Sequence, residues 1–153
     1  MQLSRNISLT GTCLCLLLLL TTALRGQEYD HSAGIRAGFS SGLVYKGFFK
    51  KNQAVALEAL YNRNGLNFSI LYQHQVIPFR NKRFQIYFGG GPFSGQWAEQ
   101  FSLGIAATSG IEYIMRDLPL VFSFDWKPLF NVIKVTGFEI IDFGLSLRYR
   151  FEL

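Results

Sequence analysis

Histidine is the side chain whose ordinary pKa suits it to proton transfer near neutral pH, and this sequence has two, His31 and His74. A hydrolytic site would need one of them beside a serine and an acid. His31 falls near the start of the predicted folded part, in a lead-in segment. His74 shares strand parity with Ile70 and Tyr72, which sets it on an apolar face. Neither pattern assembles a catalytic group, and no histidine cluster suggests a metal centre. Gly89-Gly90-Gly91 is not followed by the Lys-Ser/Thr of a phosphate loop. It reads instead as a kink or bulge where a strand ends. The expectation is a protein without enzymatic activity, cofactor or metal. What remains is a set of charges on strand positions: Glu58, Glu112, Asp125 and Asp142 against Arg36, Lys127, Arg148 and Arg150. Four acids face four bases. Buried charges are costly unless paired, so this balance suits ion pairs inside a closed interior. A proton relay or ligand cleft is the alternative use of the same residues.

The elements that must carry these charges are strands. Across the last run, Phe143, Leu145, Leu147, Tyr149 and Phe151 share one parity, while Asp142, Gly144, Ser146, Arg148 and Arg150 share the other. A period of two sends the two sets to opposite faces. Residues 35–39, 54–61, 66–73, 84–90, 102–114 and 121–127 repeat the division. Asn62-Arg63-Asn64-Gly65 is a turn signal, with Asn-Gly able to supply positive φ, so 54–75 reads as a hairpin. Pro128 should end its strand, because proline cannot donate to a ladder. Residues 92–101, which include Trp97, and 128–140 read as loops. Residues 43–49 alternate poorly. They form either an eighth strand or, with Ser40 or Ser41 as cap, a short amphipathic helix.

Residues 1–26 read as a signal peptide. Arg5 precedes the apolar run Cys13–Leu20, and small residues follow at Thr21, Thr22 and Ala23, so cleavage falls after Ala23 or after Gly26. Eight apolar residues are far fewer than the roughly 20 of a membrane-spanning helix. Cys13 and Cys15 open the run, whereas a lipid-attachment cysteine would follow it. Cleavage removes both cysteines, and with them any disulfide or thiolate chemistry. It also removes Arg5 and Arg25 but no acid, taking the net charge from +5 to +3. The remaining basic residues, chiefly Lys50-Lys51 and Arg80, Lys82 and Arg83, look like turn residues and are dispersed, which excludes a nucleic-acid surface. Residues 27–153 are enough for one domain.

Residue size decides which face points out. The polar parity carries Gly38, Gly89, Gly104, Ala106, Gly110 and Gly144, which fit the crowded interior of a narrow barrel. The apolar parity carries Phe39, Phe68, Phe84, Phe88, Phe122, Phe124, Phe143 and Phe151, more bulk than such an interior accommodates. A soluble ligand-binding barrel would place the faces the other way round. Tyr61, Tyr72, Tyr113, Trp126 and Tyr149, near run ends, suit interfacial girdles. The reading is all-β: a small antiparallel transmembrane β-barrel of eight strands after a cleaved signal peptide.

The C-terminal run also resembles the insertion signal of bacterial outer-membrane proteins. Asp142, Gly144, Leu147, Tyr149 and Phe151 match its polar, Gly, hydrophobic, hydrophobic and aromatic positions, although Glu152 and Leu153 trail the aromatic. Over the whole mature chain the architecture is similar to the small OmpA/OmpX-type, porin-family barrels. That resemblance implies residence in the bacterial outer membrane, contact with its lipid and recognition by the barrel-assembly machinery. It also implies termini in the periplasm, with residues 92–101 and 128–140 outside as the contact surface for a partner. The expected role is structural or surface-interacting with a closed polar core. The alternatives are a narrow pore for ions or small solutes and a soluble periplasmic ligand-binding barrel.

Overall fold

A computed structural model describes residues 30–97, 99–133 and 137–152; the signal-peptide expectation for residues 1–26 lies outside them. Every described element is a strand: β1 (His31–Gly38), β2 (Ser41–Lys50), β3 (Gln53–Asn62), β4 (Gly65–Val76), β5 (Phe84–Trp97), β6 (Gln100–Ile114), β7 (Leu120–Trp126), β8 (Leu129–Ile133), β9 (Gly137–Glu139) and β10 (Phe143–Phe151). All pairings are antiparallel, and β5–β6 pairing closes the sheet on itself. Eight staves make the wall, because β7 and β8 run in line along β6, as β9 and β10 run in line beside them. Lys127 and Pro128 form the joint between β7 and β8. Proline stops one segment as expected, but its carbonyl accepts the Ala107 N–H at 3.0 Å and the chain resumes as a strand at once.

The register fixes the shape. Starting at Gln85, the ladder passes through Glu112, Ser123, Ser146, Arg36, Gly42, Leu60 and Asn67 and returns to β5 at Gly95. One circuit therefore climbs ten residues, from 85 to 95. With about 3.3 Å per residue and about 4.7 Å between strands, that stagger over eight strands tilts them about 40°. At the end that holds the two terminal strand ends, the strands stop nearly level. At the opposite end they do not: the same geometry sets the outer ends of β1 and β2 roughly 12 Å below those of β5, β6, β8 and β9. The barrel is a cylinder with one notched rim.

Residues 43–49 take the strand reading, within β2, and complete the eight staves, and no helix occurs among the described residues. Several other expectations change. Residues 92–101 are not a loop; they extend β5 and β6 to a tight hairpin in which Trp97 pairs with Gln100. Residues 128–140 likewise supply β8 and β9. His31 is not in a lead-in but opens β1, with Nδ1 2.7 Å from the Tyr45 hydroxyl and its ring stacked on Phe151. In the 62–65 turn only Gly65 takes a positive φ, 126°; the Asn62 carboxamide oxygen accepts the Asn64 N–H at 2.9 Å. The three glycines at 89–91 lie mid-strand without a register shift. Gly89 and Gly91 are needed because a Cβ there would lie 1.8 and 2.0 Å from the Tyr72 and Ile70 carbonyl oxygens. Pro92 costs the ladder little, since β4 pairs with β5 on either side of Ile70 and Leu71 but not at them.

The faces divide by parity. Ile35, Leu43, Ile70, Ile105, Phe122, Phe124 and Leu145 are exposed on the outside, and polar or small residues fill the inside. One apolar cluster also lies within the barrel: Ala56, Leu71, Phe93, Ala106 and Leu129, with Ala106 and Leu71 fully shielded. The interior is thus partly an ordinary apolar core, which a purely polar expectation omits.

Candidate functional site

Each of the eight charges read from strand parity points inward, and seven of them meet in three ion-pair groups. Nearest the terminal end, Glu112 Oε2 takes both Lys46 Nζ at 3.0 Å and Arg148 Nη2 at 2.6 Å. Lys46 also stands 4.4 Å over the Tyr87 ring, a favourable place for a desolvated cation. At mid-height Arg36 is the hub. Its Nε and Nη2 both donate to Asp125 Oδ1, at 3.0 and 2.6 Å, and its Nη1 donates to Asp142 Oδ1 at 3.0 Å. The third group is Lys127 Nζ on Glu58 Oε2 at 2.7 Å, with Ser69 donating to the same oxygen at 3.2 Å. Arg150 lies at the terminal rim instead, where Nη2 donates to the Met115 and Leu118 carbonyls at 3.0 and 3.2 Å and holds the 115–119 turn.

Two participants escape a reading by parity. Lys46 is shielded to 1% exposure, yet it sits on β2 between Val44 and Phe48, which share its inward direction and blur the polar pattern. Ser40 lies in a turn, where parity says nothing. Its hydroxyl donates to Asp142, with Oδ2 at 2.7 Å, and its hydroxyl and carbonyl oxygens both accept from Arg36 Nη1. With Lys46 included, four bases meet four acids in the interior while Arg150 serves the rim. Neutrality is kept by a different membership.

The backbone makes room for this arrangement. Gly144 faces inward under the Arg36 guanidinium, and a Cβ there would lie 2.5 Å from Arg36 Cζ. Of the other insertion-pattern residues, Asp142 is buried in the Arg36 group, and Leu147, Tyr149 and Phe151 take the outward parity of β10. Tyr61, Tyr113 and Tyr149 stand near the two rims. Tyr72 and Trp126 stand partway along the wall, because β4 continues past Tyr72 and the seventh stave continues past Trp126 as β8. The Trp126 indole N–H donates to the Ile140 carbonyl at 2.5 Å, tying β7 to the link between β9 and β10. His74 lies against Phe88 on the outer face, ring centroids 5.6 Å apart.

Chemically, the interior is an arrangement of satisfied opposites. Paired, shielded charges specify one register, since a one-residue slip would place them on the outside. Among the described residues, no group of three His, Cys, Asp or Glu side chains is placed to hold a metal ion. Among the described residues, Ser32, Gln73, Gln75 and Asn131 each have a shielded polar atom without a hydrogen-bond partner. Gln75 lines a pocket of about 330 Å³ at the terminal end, together with Phe48, Lys50, Lys51, Gln85 and Ile114. Comparison with protein-family models, with curated proteins and with solved structures returns no match.

Proposed function

We propose that this barrel is integral to the bacterial outer membrane, with a closed interior and a structural or surface-interacting role and without enzymatic activity. The observation that carries the reading is the sorting of faces: large apolar side chains cover the outside, and neutralised charges occupy the inside. An aqueous surroundings for such an outer face would expose contiguous apolar area well beyond what water-facing proteins carry, whereas lipid solvates it. The strand tilt, inward polar parity and absence of an open sheet edge over the closed section follow the pattern of membrane barrels. In this orientation the level terminal end lies in the periplasm. The raised wall of β5, β6, β8 and β9 stands outside as the contact surface, and the barrel-assembly machinery reads the β10 pattern.

The closed-interior half of the reading rests on the contents of the lumen. Ion pairs fill the lower and middle levels, and the Ala56–Leu71–Phe93–Ala106–Leu129 cluster adds an apolar plug. A pore would need a continuous wet path past both. The test is refolding of the purified chain into vesicles, followed by planar-bilayer recording. We expect heat-modifiable gel mobility, protection from protease and no steady conductance. Recovery of the folded protein without lipid or detergent would favour the soluble barrel. Selective currents from the monomer would favour the pore.

A further inference from the structure

The two ends of the barrel differ in charge. The terminal end gathers Lys50 and Lys51 at the β2–β3 turn, Arg80, Lys82 and Arg83 at the β4–β5 turn, and Arg116 at the β6–β7 turn. Among the described residues, Asp30, Asp117 and Glu152 are the acids there, and the opposite end carries Arg63 against Glu99 and Glu139. Two of the basic turns are tied to the wall: the Gln85 side chain donates from Nε2 to the Lys82 carbonyl at 3.1 Å, and the Gln75 backbone N–H donates to the Asn52 carbonyl at 2.8 Å.

Within this basic end lies the 330 Å³ pocket, with Lys50 and Lys51 at its rim and Asp30 the acid among its lining residues. Gln75, a residue 3% exposed, lines it, and its shielded Nε2 is unpartnered. A buried N–H without an acceptor is unfavourable by itself, and the chemistry that relieves it is an oxygen acceptor brought into the pocket. Two lysines among the lining residues of the same pocket select an oxygen that is anionic. Phe48 and Ile114 supply apolar walls, which suit the ester side of such a group.

We infer that the terminal mouth of the barrel binds a phosphate group, with Lys50 and Lys51 supplying charge and Gln75 a hydrogen bond from below. Phosphate offers several acceptor oxygens to separate donors, which a carboxylate does less well. The group can belong to an anionic lipid headgroup or to a soluble phosphate. The inference stands on this end of the barrel alone and does not require the membrane reading.

Calorimetric titration of the folded full chain in neutral detergent tests it, using short-chain phosphatidylglycerol, short-chain phosphatidylcholine, inorganic phosphate and acetate as probes. Binding of a phosphate probe in preference to acetate is expected, weakening with added salt. K50Q/K51Q should weaken it about 25-fold, a factor of about five for each lysine near an anionic group. Q75L should weaken it about fivefold, the worth of one hydrogen bond. R63Q, at the other end, should change nothing. Binding of inorganic phosphate as strongly as the lipid assigns a soluble ligand; binding of phosphatidylglycerol alone assigns the headgroup. Equal affinity for acetate, no binding by either phosphate probe, or an unchanged K50Q/K51Q would overturn the inference. The two lysines are exposed turn residues, so that variant remains foldable even where Q75L does not.

Discussion

Replacing Arg36 with methionine isolates the energetic role of the buried charges. Methionine keeps much of the unbranched stem, so the loss is mainly the guanidinium. Arg36 has no exposed side-chain area, and its partners Asp125 and Asp142 retain only 8% and 1%. Removing it strips both of Asp125's close bonds, at 2.6 and 3.0 Å, and leaves only the distant Tyr87 hydroxyl at 3.5 Å. Asp142 keeps the Ser40 hydroxyl but loses its cation. Breaking a buried pair from one side costs about 3–5 kcal/mol, so R36M should lower the folding equilibrium by between about a hundredfold and a few thousandfold. The variant R36M/D125N/D142N should recover at least half of that loss, because neither Asp125 nor Asp142 is then left as a buried carboxylate without its cation. Urea titration of the refolded barrel, with the folded fraction read from the mobility of unheated samples, measures both. A cost for R36M under about 1 kcal/mol would refute the reasoning. So would a triple variant no better than the single one, since the loss would then come from packing.

Two further substitutions probe the walls around that hub. L147R in vesicles should cost roughly 2–4 kcal/mol if Leu147 faces hydrocarbon, and S146T on the inward face should cost less; equal tolerance in the same titration would show the faces reversed. G144A brings a methyl into the Arg36 guanidinium and should cost about 1–3 kcal/mol. That cost should shrink in an R36M background, and additive effects of the two changes would deny the contact.

Much of this fold is written in the period of two. Residues 142–151 carry it without interruption, and the inward direction of Arg36, Glu58, Glu112, Asp125, Lys127, Asp142, Arg148 and Arg150 follows from it. Parity reports direction, not partnership, so it could not say that Arg150 serves the rim while Lys46 joins Glu112. The β2 stretch hides Lys46 because Val44 and Phe48 point the same way, one of them into the 330 Å³ pocket. The long stretches taken for loops failed for another reason. Gly-Pro at 91–92 and Lys-Pro at 127–128 are turn signals in isolation, but here each proline falls where the neighbouring strand leaves its nitrogen without an acceptor to serve or where the stave has a joint. Ser40 had no periodic signal at all, since its role depends on a carboxylate 102 residues away.

The seam between β1 and β10 has a kinetic consequence. His31 pairs with Phe151 and Gly38 with Gly144, so the cylinder joins the earliest described strand to the latest. Arg36 reaches across that seam to Asp142, 106 residues along the chain, and beyond it to Asp125. Every other neighbouring pair of staves is a hairpin that can form from adjacent chain, whereas this one requires closing nearly the whole length as a loop. Hairpins zipped from β1 through β7 would still leave two raw edges and an interior without Asp142 and Arg148. The same ion pair that fills the lumen is therefore the latch of the last closing step. Until β10 arrives Arg36 keeps the local Ser40 oxygens but lacks Asp142, and the strand that spans the gap between it and Asp125 is missing.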